Sequence, residues 1–142
     1  MDGTAFLARV GAYHEAGWRL ALINVTTVLP PTAAHGRAPV AEATIAVEAP
    51  GVFEIAWAFA NGGEFETIRE QILAGEAVPS ISEFFGAAFL YENEIRELFG
   101  VNVTGIGVDL KGQLYKTATK VPFSHSAIKA RLEAAAAGAV KP

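Results

Sequence analysis

The stretch that decides the fold is VPSISEFFGAAFLYENEIRELFGV, residues 78–101. Its apolar side chains recur every three to four residues, which is the spacing of one face of an amphipathic helix. That face comprises Phe84, Ala88, Tyr91, Ile95 and Leu98 or Phe99. Ser80 or Ser82 is expected to cap the helix start, and Gly100 stands where a helix needs a left-handed stop. The pattern predicts an amphipathic helix on a sheet. Gly86 and Asn93 are weak helix formers, which allows a break into two shorter helices.

Charged side chains on this helix are candidates for contacts or chemistry. Glu92 and Arg96 are four residues apart with the acid first, the favourable order for an exposed ion pair. Glu94 and Glu97 are neighbours on the helix, which is the spacing that paired carboxylates need for acid–base catalysis. An acid-rich helix face is usually solvated, and in a complex the same acids pair with a partner's arginine or lysine. We therefore treat all four as candidate interface residues, with a small stand-alone enzyme using Glu94 and Glu97 as the weaker alternative.

The run YENEIRELFGV, residues 91–101, resembles the signature of the 30 kDa peripheral subunit of respiratory complex I. That family reads roughly aromatic-Glu-Arg-Glu-apolar-x-Asp-x-Phe-Gly-Ile. Three positions depart from it: Leu90, Asn93 and Glu97 stand where the family carries Trp, Arg and Asp. Complex I proteins continue with Gly-His-Pro-Asp-Leu-Arg-Arg, whereas this chain reads TGIGVDLKG over residues 104–112. This altered tail is similar to the small counterpart subunit of energy-converting NiFe hydrogenases.

The resemblance implies a non-catalytic structural and assembly subunit on the cytoplasmic arm of a membrane-bound hydrogenase, peripheral on the cytoplasmic side of the cell membrane. The implied partners are the large and small hydrogenase subunits and the membrane subunits of one hetero-oligomeric complex. The NiFe centre and the iron–sulfur clusters are expected in those partners, and proton translocation is expected in the membrane part. The alternative is the equivalent 30 kDa-type subunit of a complex I-like, quinone-linked NADH dehydrogenase.

The composition limits the classes of partner and cofactor. Of 142 residues, 51% are hydrophobic and 18% charged, against a usual charged share of about 25%. The net charge of −4 disfavours nucleic acid, which binds basic faces. No run reaches the roughly 18 apolar residues of a spanning helix, so we expect no direct membrane insertion. Because the chain has no cysteine, and because His14, His35 and His125 lack metal-ligand spacing, we expect no metal and no cofactor in it.

The remaining sequence predicts an α+β fold, an antiparallel sheet of about four strands covered by helices. The expected elements are a helix over 4–16, strands over 18–29, 41–48, 53–59 and 64–73, and a terminal helix over 125–137. The first strand is apolar on both sides, which favours a central or covered position. Pro50-Gly51 indicates a hairpin turn between the second and third strands, and Asn61-Gly62-Gly63 indicates another before the fourth. The fourth also fits a helix, but this turn and the resemblance favour a strand.

We expect one domain over residues 1–142, with a sheet-and-helix core at 1–102, an extended partner-binding segment at 103–124, and a terminal helix and tail at 125–142. The middle segment has few large apolar residues, so alone it buries little surface against the entropy of ordering its backbone. A partner surface would supply the difference, and the alternative is an exposed loop. The expected contacts are Leu110, Tyr115 and Phe123 as apolar anchors and Lys111, Lys116 and Lys120 as rim charges.

Overall fold

A computed structural model describes residues 1–28 and 51–139. The elements are α1 (Gly3–Glu15), β1 (Arg19–Val28), β2 (Val52–Asn61), β3 (Glu64–Leu73), β4 (Ala77–Pro79), α2 (Ala88–Phe99), β5 (Asn102–Thr104) and α3 (His125–Ala139). Strands β1, β2 and β3 form an antiparallel sheet in that order, and β4 pairs with β5 in a separate parallel sheet. The predicted α+β class is confirmed. The strand expected over 41–48 lies outside the described residues.

The core rests on the alternation of large and small residues along β2. Its inward side chains are Phe53, Ile55, Trp57 and Phe59, each at most 2% exposed. Burying a large apolar side chain stabilises a fold by about 1.5–3 kcal/mol, so this row is a major source of stability. Helix α1 covers it: the ring centroids of Phe6 and Trp57 lie 4.6 Å apart, and Tyr13 stacks on Phe59 at 4.5 Å. Helix α2 packs across β1 on the same side.

The prediction that the first strand is central or covered on both faces is wrong for the described sheet. The middle strand is β2. Along β1 burial alternates, with Ile23 and Val25 buried and Leu22 40% exposed. On the outward face β2 carries alanines, which lie between the taller side chains of its two neighbours; Ala58, for example, pairs with Leu22 and Thr67. Small residues are therefore covered in the middle strand, while large ones on β1 remain exposed.

The turn and strand predicted after β2 are confirmed. Asn61 pairs with Glu64 across the two-residue turn, and Gly62 adopts a φ of 59°, a left-handed conformation that glycine takes without a steric penalty. Ile68 and Ile72 of β3 are buried beside β2. The hairpin turn predicted at Pro50-Gly51 lies partly outside the described residues. Within them, β2 pairs with β1 and β3.

The helix at 88–99 ends as predicted but begins later. Gly100 takes φ 80° and ψ 22°, and its N–H donates to the Arg96 carbonyl oxygen at 3.1 Å. The predicted serine cap is wrong, because Ala87 holds the N-cap position without a side-chain hydrogen bond. Residues 82–87 form turns that precede the helix. Ser80 is instead engaged by a side chain from the helix, as described below.

Strand β4 precedes α2 and strand β5 follows it, and the two strands pair in parallel. Val78 of β4 pairs with Val103 of β5, and both are buried. The sequence predicted extended segments after residue 101 but not this pairing. The terminal helix α3 is confirmed, and Ser124 caps it by accepting the Ala127 N–H at 3.3 Å. None of the described helices is long and apolar enough to cross a membrane.

Gly100→Ala is expected to lower the free energy of unfolding by about 1–2 kcal/mol, the penalty of a side chain in the left-handed region. The new Cβ would lie 3.5 Å from the Val121 Cγ1 atom, an ordinary contact, so the penalty is conformational. Urea unfolding of the whole chain measures it. Gly86→Ala is the control, expected within about 0.5 kcal/mol of wild type, because its φ is not positive and no atom lies within 4 Å of the new Cβ. Equal losses would contradict a left-handed stop.

Gly51→Ala is expected to destabilise the chain by about 1–3 kcal/mol through overpacking. A Cβ at Gly51 would overlap the His125 ring, which packs edge-on to Phe53 and lies with Nε2 3.0 Å from the Val52 carbonyl oxygen. If that overlap is the cause, Gly51→Ala should add no loss in a His125→Ala background. Thermal unfolding of the two single variants and the double variant measures this. Additive losses would show that the ring does not require the glycine.

Candidate functional site

Glu92 lies buried beneath the turn that precedes α2. It is 2% exposed, and its carboxylate accepts hydrogen bonds from the Ile81 N–H at 2.7 Å and the Ser80 hydroxyl at 2.6 Å. The predicted exposed ion pair between Glu92 and Arg96 is therefore wrong. The physical reason is that Glu92 shares the buried face of the helix with Ile95, three residues on, and so points inward.

The protonation of Glu92 is coupled to folding. Burial raises the pKa of its carboxyl above the ordinary value, while the hydrogen bonds from Ser80 and Ile81 act in the opposite direction. A raised pKa means that the folded protein binds this proton more tightly than the unfolded chain does. The stability linked to the proton is fully present below the unfolded pKa and is lost as the pH rises through the folded pKa. Glu92 therefore joins the turn to the helix through a carboxyl whose ionisation is opposed by its burial.

Asn93, one of the departures from the family signature, holds the segment that follows the helix. It is 1% exposed. Its amide nitrogen donates to the Phe89 carbonyl oxygen at 2.7 Å and the Val108 carbonyl oxygen at 2.8 Å, and its Oδ1 accepts the Leu110 N–H at 2.9 Å. This role was not predicted from the sequence, in which Asn93 stood out only as a weak helix former and as a departure from the signature. The available signal was a short amide at a position where the family carries a long cation.

Arg96 also binds this segment. It forms an ion pair with Asp109, and it donates to the Asn93 Oδ1 at 3.1 Å. The Arg96 guanidinium holds the pKa of Asp109 below its usual value, helped by the Lys111 N–H, which donates to the same carboxylate at 2.7 Å. Arg96 is therefore bound to the chain's own tail.

Glu94 and Glu97, the two acids considered as a catalytic pair, accept hydrogen bonds from the same segment. The Glu97 carboxylate accepts the N–H groups of Leu114 at 2.9 Å and Tyr115 at 2.7 Å. Glu94 accepts the Tyr115 hydroxyl at 2.5 Å, which raises the pKa of Tyr115. Both carboxylates therefore hold backbone and side-chain donors of one loop. This geometry lends no support to the paired-carboxylate enzyme.

Six of the predicted contact residues surround one cleft between the end of α2 and the segment that follows it, here called the basic cleft. Its volume is about 500 Å³. The six residues are Arg96, Glu97, Lys111, Tyr115, Lys116 and Lys120. The other four predicted contacts lie elsewhere. Glu92 is buried, and Glu94 accepts a hydrogen bond from the Tyr115 hydroxyl. The Leu110 N–H donates to Asn93, and Phe123 packs on Phe99 with ring centroids 5.3 Å apart. That these residues touch a partner stays a prediction.

The far end of the segment is fixed to the core. The Phe123 N–H donates to the Leu98 carbonyl oxygen at 2.9 Å, and the Thr27 hydroxyl donates to the Phe123 carbonyl oxygen at 2.6 Å. Phe123 is nevertheless 41% exposed. The segment is thus attached at residues 108–115 and again at 123, and the stretch between these attachments forms one wall of the basic cleft.

The described residues contain no group of three His, Asp or Glu side chains that could hold a metal ion. His14 packs edge-on to Phe85 at 5.5 Å, and His125 lies over Gly51. His35 lies outside the described residues. The absence of metal and cofactor from this chain stays a prediction.

Glu92→Ala is expected to lower the free energy of unfolding by about 1–3 kcal/mol, because it leaves the buried Ile81 N–H and the Ser80 hydroxyl without an acceptor. Glu94→Ala is the matched control on the same helix. It removes only the hydrogen bond to the Tyr115 hydroxyl and should lower the free energy by no more than about 1 kcal/mol. Urea unfolding at neutral pH ranks the two variants, and the reverse order would contradict the buried role of Glu92.

Glu92→Gln keeps an acceptor for Ile81 and removes the ionisable group. The wild-type chain should therefore lose stability relative to this variant as the pH rises from about 4 towards 8, the direction set by the raised pKa of Glu92. Parallel stability curves for the two proteins over that range would show that the carboxyl does not titrate abnormally.

The resemblance to the 30 kDa subunit family, first seen in residues 91–101, extends beyond α2 in a comparison with known families. The family model described as respiratory-chain NADH dehydrogenase, 30 kDa subunit, matches residues 21–125. A search of curated proteins finds no significant match. The matched range runs from β1 through α2 and its bound segment to the first residue of α3, well over half of the chain. The chain therefore belongs to the family of the 30 kDa subunit of the respiratory-chain NADH dehydrogenase.

Proposed function

We propose that this chain is a non-catalytic structural subunit of a membrane-bound, energy-converting NiFe hydrogenase. The family is one of subunits of complex I-like oxidoreductases. Within that class the chain would brace the large subunit that carries the NiFe centre, on the cytoplasmic side of the membrane. Electron transfer would run through iron–sulfur clusters of the partner subunits, and proton translocation would belong to the membrane subunits.

A structural role is supported by the hydrogen bonds and the ion pair that the polar side chains of α2 form with neighbouring segments. Glu92 binds the turn before the helix, and Asn93, Arg96 and Glu97 bind the segment after it. Backbone groups of irregular segments need such partners when they are buried. The helix therefore serves as a frame that fixes two flanking segments and presents the surface they form.

The observation that favours the hydrogenase branch is a contact between two departures from the complex I pattern. Asn93 replaces the family arginine, and the stretch over 104–112 replaces the Gly-His-Pro-Asp-Leu-Arg-Arg run. In the fold these two meet, because the Asn93 amide binds the Val108 carbonyl oxygen and the Leu110 N–H. The altered tail and the altered helix position thus form one structural unit, as expected of a distinct branch.

The alternative, a 30 kDa-type subunit of a quinone-linked NADH dehydrogenase, is favoured by the description of the matched family. It shares the structural role and differs in the partners. The implied partners of the first proposal are the hydrogenase large and small subunits and the membrane subunits. Those of the alternative include an NADH-oxidising module.

The test is purification of the tagged chain from membranes in mild detergent, with mass spectrometry of the subunits that elute with it. We expect a nickel-containing large subunit, a small subunit and membrane subunits, together with hydrogen-dependent reduction of an artificial electron acceptor. Elution with an NADH-oxidising flavoprotein and no nickel would assign the chain to the alternative. Elution of the chain by itself, from a host that expresses it natively, would overturn both.

A further inference from the structure

We propose that the basic cleft receives a carboxylate-bearing segment of a neighbouring subunit. This inference rests on the proposed function, because it needs a partner, and it adds the chemistry of the contact. The cleft is bounded on one side by Arg96 and Glu97 at the end of α2. Its other side is the loop from Lys111 to Val121, which contributes the three lysines.

Two of the three loop lysines are free to bind an acidic partner, whereas Arg96 at the end of α2 is not. Arg96 is paired with Asp109, and Glu97 accepts two backbone N–H groups. Lys116 and Lys120 are exposed, and in the part of the chain that the structure describes neither forms an ion pair or a hydrogen bond. The lining carries four cationic side chains and one carboxylate, that of Glu97, so its net charge is positive. A concave surface of net positive charge attracts negative charge.

This concentration of positive charge contrasts with the rest of the molecule. The whole chain carries a net charge of −4. Lys111, Lys116 and Lys120 nevertheless fall within ten consecutive residues and line one cleft. Charge complementarity of this kind steers a partner towards one face and fixes its orientation there. The cleft is therefore the surface on which this acidic chain is suited to contact an acidic segment.

The backbone of the cleft wall is held in an unfavourable conformation. Lys111 and Val121, with φ of 53° and 42°, are the two non-glycine residues of positive φ among residues 1–28 and 51–139, and both line the cleft. A β-branched residue rarely adopts such a φ. The neighbouring contacts hold these conformations: the Lys111 N–H donates to Asp109 at 2.7 Å, and the Ser124 N–H donates to the Val121 carbonyl oxygen at 3.0 Å. Strain of this kind concentrates at binding sites, where it presets the shape of the wall.

The cleft fits a protein segment better than a single small anion. Its volume of about 500 Å³ is lined by apolar as well as charged surface. Tyr115 is 44% exposed, and its hydroxyl is fixed by Glu94, so the ring presents an oriented apolar face. Tyrosine, like tryptophan and arginine, is enriched at the energetic centres of protein interfaces. A peptide segment with carboxylates and apolar side chains uses both kinds of surface, whereas an inorganic anion uses the charges alone.

Zero-length cross-linking of the intact complex tests the contact directly. A carbodiimide activates a carboxyl, a lysine Nζ attacks it, and an amide bond forms as the carbodiimide leaves as a urea that carries the oxygen. We expect cross-links from Lys116 or Lys120 to an aspartate or glutamate of another subunit. We also expect acetylation of both lysines to be slower by about tenfold in the complex than in the free chain.

Charge reversal tests whether the contact contributes to assembly. Lys116→Glu and Lys120→Glu should each lower the amount of partner subunits retained per tagged chain by roughly tenfold after a salt wash. Arg19→Glu is the matched control. It makes the same change in net charge at an exposed residue at the start of β1, outside the cleft, and should leave retention unchanged. Circular dichroism and urea unfolding of each purified variant should match wild type, because neither lysine makes a polar contact with residues 1–28 or 51–139.

Two outcomes separate this inference from the proposed function. If the chain elutes with its partner subunits, but both lysines react equally in the free and assembled forms and their variants retain partners like Arg19→Glu, the cleft is not a contact and only this inference falls. Cross-links confined to carboxyls of this same chain would overturn it as well. If the chain elutes with no other subunit, both proposals fall together.

Discussion

The constraint on which this structure depends is that two irregular segments lie against one short helix with polar backbone groups turned inward. Buried N–H and carbonyl groups need partners, and here the helix supplies them from its side chains. Glu92 accepts the Ile81 N–H on one side, and Asn93 serves the Val108 carbonyl oxygen and the Leu110 N–H on the other. Two consecutive residues of α2 thus fix the chain before and after it. The apolar face of the helix, with Ala88 and Ile95, attaches this assembly to the sheet.

Helix α2 and its two flanking segments pack on one face of the sheet because the two faces carry side chains of different size. On the inner face β2 carries large side chains such as Trp57, which face α1 and α2. On the outer face it carries alanines, and taller residues of the flanking strands stand beside them, with Phe65 62% exposed. Packing is therefore dense on the side that holds the helices and shallow on the other. A helix with one narrow apolar stripe can dock on such a surface in a single orientation, which directs its polar side chains towards the flanking segments.

Features that depend on residues close together in the sequence were predicted. Features that depend on residues far apart in the sequence were not. The stop at Gly100, the turn at 61–63 and the limits of α1 and α3 follow from local rules of capping and turn formation. The stop and the turn were predicted, and the helix limits were predicted to within two residues. The role of Glu92 was missed because its partners lie eleven and twelve residues away. Local spacing suggested Arg96 instead. Periodicity also could not tell which apolar strand is central, since that depends on which neighbours cover it.

The residues of the candidate site were predicted from the sequence, but their arrangement was not. That arrangement also explains the departures from the family signature. Composition and resemblance identified the lysines, but only the fold places them beside the end of α2. The substitution at position 93 is not an isolated loss of an arginine, because a 1% exposed amide leaves no room for a long cation and meets three backbone groups of its surroundings. The tail bound there continues into Asp109, which neutralises Arg96, and then into the loop that carries the unpaired lysines. The buried amide therefore fixes the start of the tail, Arg96 and Glu97 hold its continuation, and the course of the tail determines which charges remain available to a partner.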